Sequence, residues 1–286
     1  MKSSVERSLY HECLQRYSVQ TNRQGWRWID SHHGDETLII LPGFMGEAET
    51  SFLYVLALAL HLRVISVSYP PTIGQVNKLC DSFCDFLDEL NIVHTTVLGG
   101  SSGGFLAQVF LRRLPGRFSA CILTHTGLPS FRRARTAHFF LRLFHHMPFR
   151  LLQWLMQASV YAFFPRPTST HAFWRAHFRE VIRRQTKTAL TNRFALMEDF
   201  HSQSHFHVDD LATWSGKLLL MEMLRDPLTT PDEQAALRAL YPNARLHVFA
   251  ESAHYDSVEQ PDGQIRVIKE FMQSKVAQRS SKKLQS

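Results

Sequence analysis

Four cysteines in 286 residues are too few to staple a fold. They are not spaced for a metal either: Cys80 and Cys84 stand one helical turn apart, not as a Cys-x-x-Cys pair. Cys13, Cys80, Cys84 and Cys121 are therefore expected to be free thiols, mostly buried. No hydrophobic run is long enough to cross a bilayer. The longest early one, SFLYVLALALHL at 51–62, falls well short of the ~20 residues a spanning helix needs. The segment MKSSVERSLYHECLQRYSVQ has no apolar core bounded by a small-residue cleavage site, so no secretory leader is expected. The expected location is cytoplasmic, with peripheral attachment to membranes left open. There is no internal repeat and no low-complexity tract, and no Gly-Lys-Ser/Thr follows the glycine-rich turn, so a Walker-type phosphate loop is not supported. With 44% hydrophobic and 20% charged residues, neither disorder nor a coiled coil is the main state. The net charge of +7 permits anionic partners, but no nucleic-acid recognition motif accompanies it and no nucleic acid is expected.

What is present is an alternation of strands and helices. RWID (27–30) reads as a short strand, and DETLIILPG as a clearer one that stops at Pro42 and Gly43. A helix is expected near 50–61, a strand at 63–69 ending on a double proline, a helix over 75–90, a strand at 94–99, a helix over 103–114 and a strand at 119–125. The pattern resumes with GKLLLMEML, DEQAALRALY, ARLHVFA and GQIRVIKEFMQSK, read as strand, helix, strand and helix. Short, largely apolar strands at this spacing predict a mostly parallel sheet with helices on both faces. The expected organisation is an N-terminal extension at 1–25, a core in two parts at 26–128 and 213–275, a helical insert at 129–212, and a flexible basic tail at 276–286.

The insert has an unusual composition. Residues 131–196 carry eleven arginines and Lys187 against one acid, Glu180, so the net is +11 while the remainder of the chain is negative. Thirteen aromatics share the segment, including Phe139, Phe140, Trp154, Phe163 and Trp174. Helices broken by Pro148, Pro165 and Pro167 would arch over the sheet as a lid. Its arginines would face solvent, an anionic membrane surface or an acidic protein partner.

The stretch TTVLGGSSGGFLAQVF (95–110) carries the chemistry. It is a strand, a tight glycine-rich turn and a helix, and it holds Gly-x-Ser-x-Gly in two overlapping registers. One centres on Ser101 with Gly99 and Gly103 flanking; the other centres on Ser102. The strand ends at Val97 and Leu98, which puts Ser101 at the turn and Ser102 at the helix start, so Ser101 is the expected nucleophile. A serine hydroxyl needs a base, and the base needs an orienting acid. Asp226, in the Arg-Asp-Pro loop after LLLMEML, is the expected acid, although Asp-Pro is also good turn chemistry. His254, the only histidine after the last strand, is the expected base. Glu222, Glu251 and Asp256 are spare acids. LLPGFMG supplies the loop after the early strand: Gly43 turns it, and the Phe44 N–H, with that of Ser102, is the expected oxyanion donor.

In this order the residues of LLPGFMG, VLGGSSGG, RDPLTTP and ESAHYDSVEQP resemble the α/β-hydrolase superfamily over roughly residues 25–275. RVISVSYPP, CDSFCDFLDEL, VLGGSSGGFLAQVF and YPNAR are similar, more narrowly, to maspardin-like members. The resemblance implies an eight-stranded, mostly parallel sheet, a Ser101–His254–Asp226 triad, and an enzyme without metal or organic cofactor that acts on a small apolar acyl ester or thioester. It also implies two alternatives: a non-catalytic interaction module on the same scaffold, as maspardin itself is regarded, and a transacylase or C–C bond hydrolase with the same triad. Three positions depart from the usual family pattern: Pro42 replaces the histidine before Gly43, Met223 replaces the glycine three before the acid, and Ala253 replaces the glycine before the histidine.

Overall fold

The computed structural model describes residues 5–283. Helix α1 (Val5–Arg16) leads into strands β1 (Val19–Thr21), β2 (Arg27–Asp30) and β3 (Thr37–Leu41). Then come α2 (Phe52–Leu58), β4 (Arg63–Ser68), α3 (Val76–Glu89), β5 (Thr95–Gly100), α4 (Ser102–Arg113) and β6 (Phe118–Thr124). Four consecutive helices follow: α5 (Phe131–His146), α6 (Phe149–Phe163), α7 (Ser169–Arg184) and α8 (Lys187–Gln203). The chain closes with β7 (Lys217–Met223), α9 (Pro231–Leu240), β8 (Arg245–Phe249), the single turn α10 (Asp256–Glu259) and α11 (Asp262–Lys283).

The eight strands form one sheet in the order β1-β2-β4-β3-β5-β6-β7-β8. The first two pairings, β1 with β2 and β2 with β4, are antiparallel, and the rest are parallel. Alternate residues of each strand point to opposite faces, so the sheet feeds two cores. On one face Ile39, Leu41, Val97, Cys121 and Leu123 pack with Phe83, Phe86 and Phe110 of α3 and α4. On the other, Leu38, Ile40, Leu98, Ala120 and Ile122 pack with Phe52 of α2 and Ile268 and Phe271 of α11. Each buried Val, Leu, Ile or Phe among them stabilises the fold by roughly 1.5–3 kcal/mol, which is why the strands read as largely apolar runs. Cys13, Cys80 and Cys121 are buried thiols and Cys84 is half-buried; burial lifts Cys80 to about 11 and Cys13 and Cys121 to about 12, so the three stay protonated.

Two stretches differ from the sequence expectation. The first 25 residues are not a bare extension: β1 pairs with β2, and α1 lays Leu9, Tyr10 and Leu14 against the second core. A three-residue strand and a helix that fully buries one side chain leave almost no periodic signal. The last helix continues past residue 275 to Lys283; residues 284–286 of the expected tail lie outside the described residues.

The insert is helical throughout, as its composition suggests. It grips the core at two places. Trp174 of α7 is fully buried against Phe52 and Phe178, and Phe200 of α8 stacks on Phe105 of α4 at 4.6 Å. Two of its histidines are neutral. Burial, with Arg184 nearby, holds His177 down to about 4, and burial, with Arg133 nearby, does the same to His201. In the unfolded chain both titrate near 6.5. Between these values the unfolded state binds more protons, so stability is flat above pH 6.5 and falls as the pH drops toward 4, by roughly 2–3 kcal/mol per histidine. The urea midpoint should therefore decline between pH 6.5 and 4.5, less steeply in His201→Asn. A midpoint independent of pH across that window would contradict these burials.

Candidate active site

The sharp turn between β5 and α4 has a steric cause. A Cβ on Gly99 would lie 2.5 Å from the Gly103 carbonyl oxygen, and one on Gly103 would lie 2.2 Å from that of Leu41. No side chain fits at either position, so the chain can reverse tightly there and lift the residue between them. That residue is Ser101, with φ +53° and ψ −124°. It is held in place by its N–H donating to Thr124 O (3.1 Å) and its carbonyl accepting from the Thr126 hydroxyl (2.7 Å). Ser102 is the first residue of α4 and is buried.

The loops after β7 and β8 bring up the other two groups. Asp226 follows β7, and its carboxylate is fully buried. Its Oδ1 accepts from the Leu228 N–H at 2.7 Å, and its Oδ2 accepts from His254 Nδ1–H at 2.8 Å. A buried carboxylate can only accept, so the ring proton sits on Nδ1 and leaves Nε2 as an acceptor. The Ser101 hydroxyl donates to that Nε2 at 3.1 Å. His254 is itself buried, and its carbonyl accepts from Ser257 Oγ at 3.1 Å. Residues from three distant loops thus meet at the C-terminal edge of the parallel strands, where open α/β sheets place functional groups.

The spare acids are engaged elsewhere. Glu222 takes Arg238 at 2.5 Å, Glu251 pairs with Arg225, and Asp256 accepts from the Ala253 N–H at 2.8 Å. Asp256 therefore fixes the backbone just before His254.

The loop after β3 crosses above Ser101. A Cβ on Gly43 would be 3.5 Å from that of Ser101. The backbone N–H groups of Phe44 and Ser102 have no acceptor among the described residues. Phe44 packs its ring on Phe194 of α8 at 4.6 Å. A cavity of about 290 Å³ opens here, walled by Gly43, Phe44, Met45, Ser101, His125, Phe163, His254 and Tyr255 among others. Among the described residues no three His, Cys, Asp or Glu side chains stand together as a metal site.

Two residues here were not legible in the sequence. Arg193 of α8, one of many arginines in the insert, donates to Phe44 O at 2.6 Å and Gly46 O at 3.2 Å and pairs with buried Glu47. It ties the insert to the loop over Ser101. His125 directly follows β6 with φ +37° and lies edge-on to His254 at 4.6 Å between ring centroids. Burial, and then the nearness of the ionisable His254 ring, hold it well below the usual imidazole range, so it is neutral. Among the described residues four non-glycine residues have positive φ, and Ser101 and His125 are two of them, just after neighbouring strands at one cavity. Backbone strain of this kind clusters at functional sites, and nothing in the sequence signals it at His125.

The chain matches the alpha/beta hydrolase fold family over residues 36–261, and it belongs to that family. It is similar to maspardin of Danio rerio, 43% identical over 74 residues that make up 26% of this chain and 24% of that protein. Maspardin of Rattus norvegicus is 40% identical over 74 residues, 26% of this chain and 28% of that protein. The matched segment thus spans about a quarter of the length of these relatives. Among solved structures, a hydrolase from Pseudomonas aeruginosa superposes with a TM-score of 0.72 at 17% identity, covering 90% of this chain and 98% of that one. A thermophilic esterase from Thermogutta terrifontis gives 0.72 at 16% identity, with the same 90% and 98% coverage. At such identities the likeness is one of fold.

Proposed function

We propose that this chain is a serine hydrolase that cleaves carboxylic esters or thioesters through an acyl-enzyme intermediate. The observation that carries the reading is the hydroxyl–imidazole–carboxylate chain at 3.1 and 2.8 Å on the cavity wall. Ser101 Oγ attacks the substrate carbonyl while His254 Nε2 takes its proton. Asp226 holds the ring in the correct tautomer and stabilises the imidazolium. The charge on the former carbonyl oxygen is met by the Phe44 and Ser102 N–H groups, which are free to donate. The tetrahedral intermediate collapses, the C–O or C–S bond breaks, and the leaving alcohol or thiol takes the proton from His254. Water, deprotonated by the same imidazole, then attacks the acyl group and releases the acid and Ser101.

The helical insert acts as a lid in this reading: Phe163 of α6 and Phe178 of α7 wall the cavity, and Arg193 keeps the oxyanion loop in place. A volume of about 290 Å³ lies at the small end for ligand pockets, which run roughly 300–1,000 Å³, so a short apolar acyl group is the expected substrate. With p-nitrophenyl esters of rising chain length, kcat/KM should peak at short acyl chains and drop at least roughly tenfold for long ones. Equal rates from acetate to palmitate would sink the pocket assignment. No turnover of any ester by folded protein would favour the alternative, a non-catalytic interaction module on the same scaffold; the chain shares a 74-residue segment, 40–43% identical, with maspardin. Product analysis with acceptor alcohols separates hydrolysis from acyl transfer.

A further inference from the structure

The outward faces of α5 and α6 carry an apolar surface that nothing in the proposed chemistry uses. Phe131 is 77% exposed, and Phe139 and Trp154 are 63% exposed. On α6, Leu151, Leu155, Ala158 and Ala162 fall at helical spacing on one exposed face, flanked by Trp154 and Tyr161. On α5, Phe139 and Leu143 share the solvent face with Arg132, Arg135 and Arg142. Half of the large exposed hydrophobic side chains in the described structure lie in these two helices. A concentration of that kind marks an interaction surface.

Charge identifies the partner. The sequence contains no carboxylate between Glu89 and Glu180. Glu180, the first acid after the two helices, is already taken by Arg183 and Arg184. Arg132, Arg135, Arg142 and Arg150 have no carboxylate partner among the described residues. A second copy of this chain packed with the same face would therefore bring like charge against like charge. The apolar side chains project outward from the helices, so they suit a medium that can be penetrated. Arginines beside Trp, Phe and Leu on an amphipathic helix are the features that hold a helix in a lipid headgroup region.

We infer that the exposed face of α5 and α6 docks on an anionic lipid surface, with Phe139, Trp154 and their neighbours entering the headgroup region and the arginines paired with lipid phosphates and carboxylates. The surface is separate from Ser101, so the inference stands or falls independently of the hydrolase reading.

The test is co-sedimentation of the full chain, in the wild-type and Ser101→Ala backgrounds alike, with vesicles of phosphatidylcholine alone or mixed with phosphatidylserine. Binding should require phosphatidylserine, weaken as salt rises, and shift the Trp154 fluorescence to the blue. Two double variants alter only exposed positions: Phe139→Ser with Trp154→Ser, and Arg135→Gln with Arg142→Gln. Each should weaken binding roughly tenfold or more, with the melting temperature unchanged. Equal binding to both vesicle types, or binding indifferent to both double variants, would overturn the inference. So would a lipid-free dimer that Trp154→Ser dissociates, because the face would then be covered by a second copy.

Discussion

Ser101→Ala should reduce ester hydrolysis by a factor on the order of 10⁵, leaving only what the oxyanion donors and binding contribute. The alanine keeps the backbone and removes one oxygen, so the drop reports the hydroxyl alone. Ser102→Ala is the internal control. Its side chain sits at the start of α4, and only its backbone N–H enters the proposed chemistry, so activity should stay within a few-fold. A loss in Ser102→Ala and survival of Ser101→Ala would reverse the register of the turn. Stability gives a second reading of the same residue. A non-glycine at φ +53° carries about 1–3 kcal/mol of backbone strain. Ser101→Gly relieves it, and the inactive protein should melt a few degrees higher, as measured by calorimetry. An unchanged or lower melting point would mean that the turn stores no strain.

Asp226→Asn carries the second large effect. Asp226 accepts two hydrogen bonds, from Leu228 N–H and from His254 Nδ1–H. An asparagine can turn its oxygen to Leu228 and its NH₂ to the imidazole. The loop keeps its shape, but His254 must now accept at Nδ1 and carry its proton on Nε2. An Nε2–H cannot take the Ser101 proton, so kcat should fall roughly 10⁴-fold while folding is preserved. Glu251→Gln, which alters an exposed acid paired with Arg225, should leave the rate within about twofold. Steady-state kinetics on matched, folded samples decide it; a loss under tenfold in Asp226→Asn would remove the carboxylate from the relay.

These residues could be found in the sequence because each sits at a place the chain advertises. Gly99 and Gly103 bracket a strand-to-helix turn that admits no other residue type, and Asp226 and His254 follow apolar strands in loops. Strand–helix alternation fixed on which edge of the sheet such loops lie. The eight-stranded, mostly parallel sheet and the helical insert follow from the same apolar periodicity. What could not be read depended on packing across the insert. Arg193 is one of eleven arginines in residues 131–196, and nothing local tells it apart from those that face solvent. Only the approach of α8 to the loop at Phe44 and Gly46 gives it a partner. His125 is one of sixteen histidines, and its positive φ and edge contact with His254 are properties of coordinates, not of composition. Strand β1 was hidden for a different reason: three residues are too few to show a period of two.

The central claim is that a single serine is made nucleophilic by the buried imidazole and carboxylate behind it. Treating the folded protein with a fluorophosphonate and mapping the adduct by tandem mass spectrometry tests this most directly. The account predicts one adduct per chain, on Ser101, absent in Ser101→Ala and slowed by orders of magnitude in His254→Ala. An unlabelled folded protein, or an adduct whose rate is indifferent to His254, would contradict it.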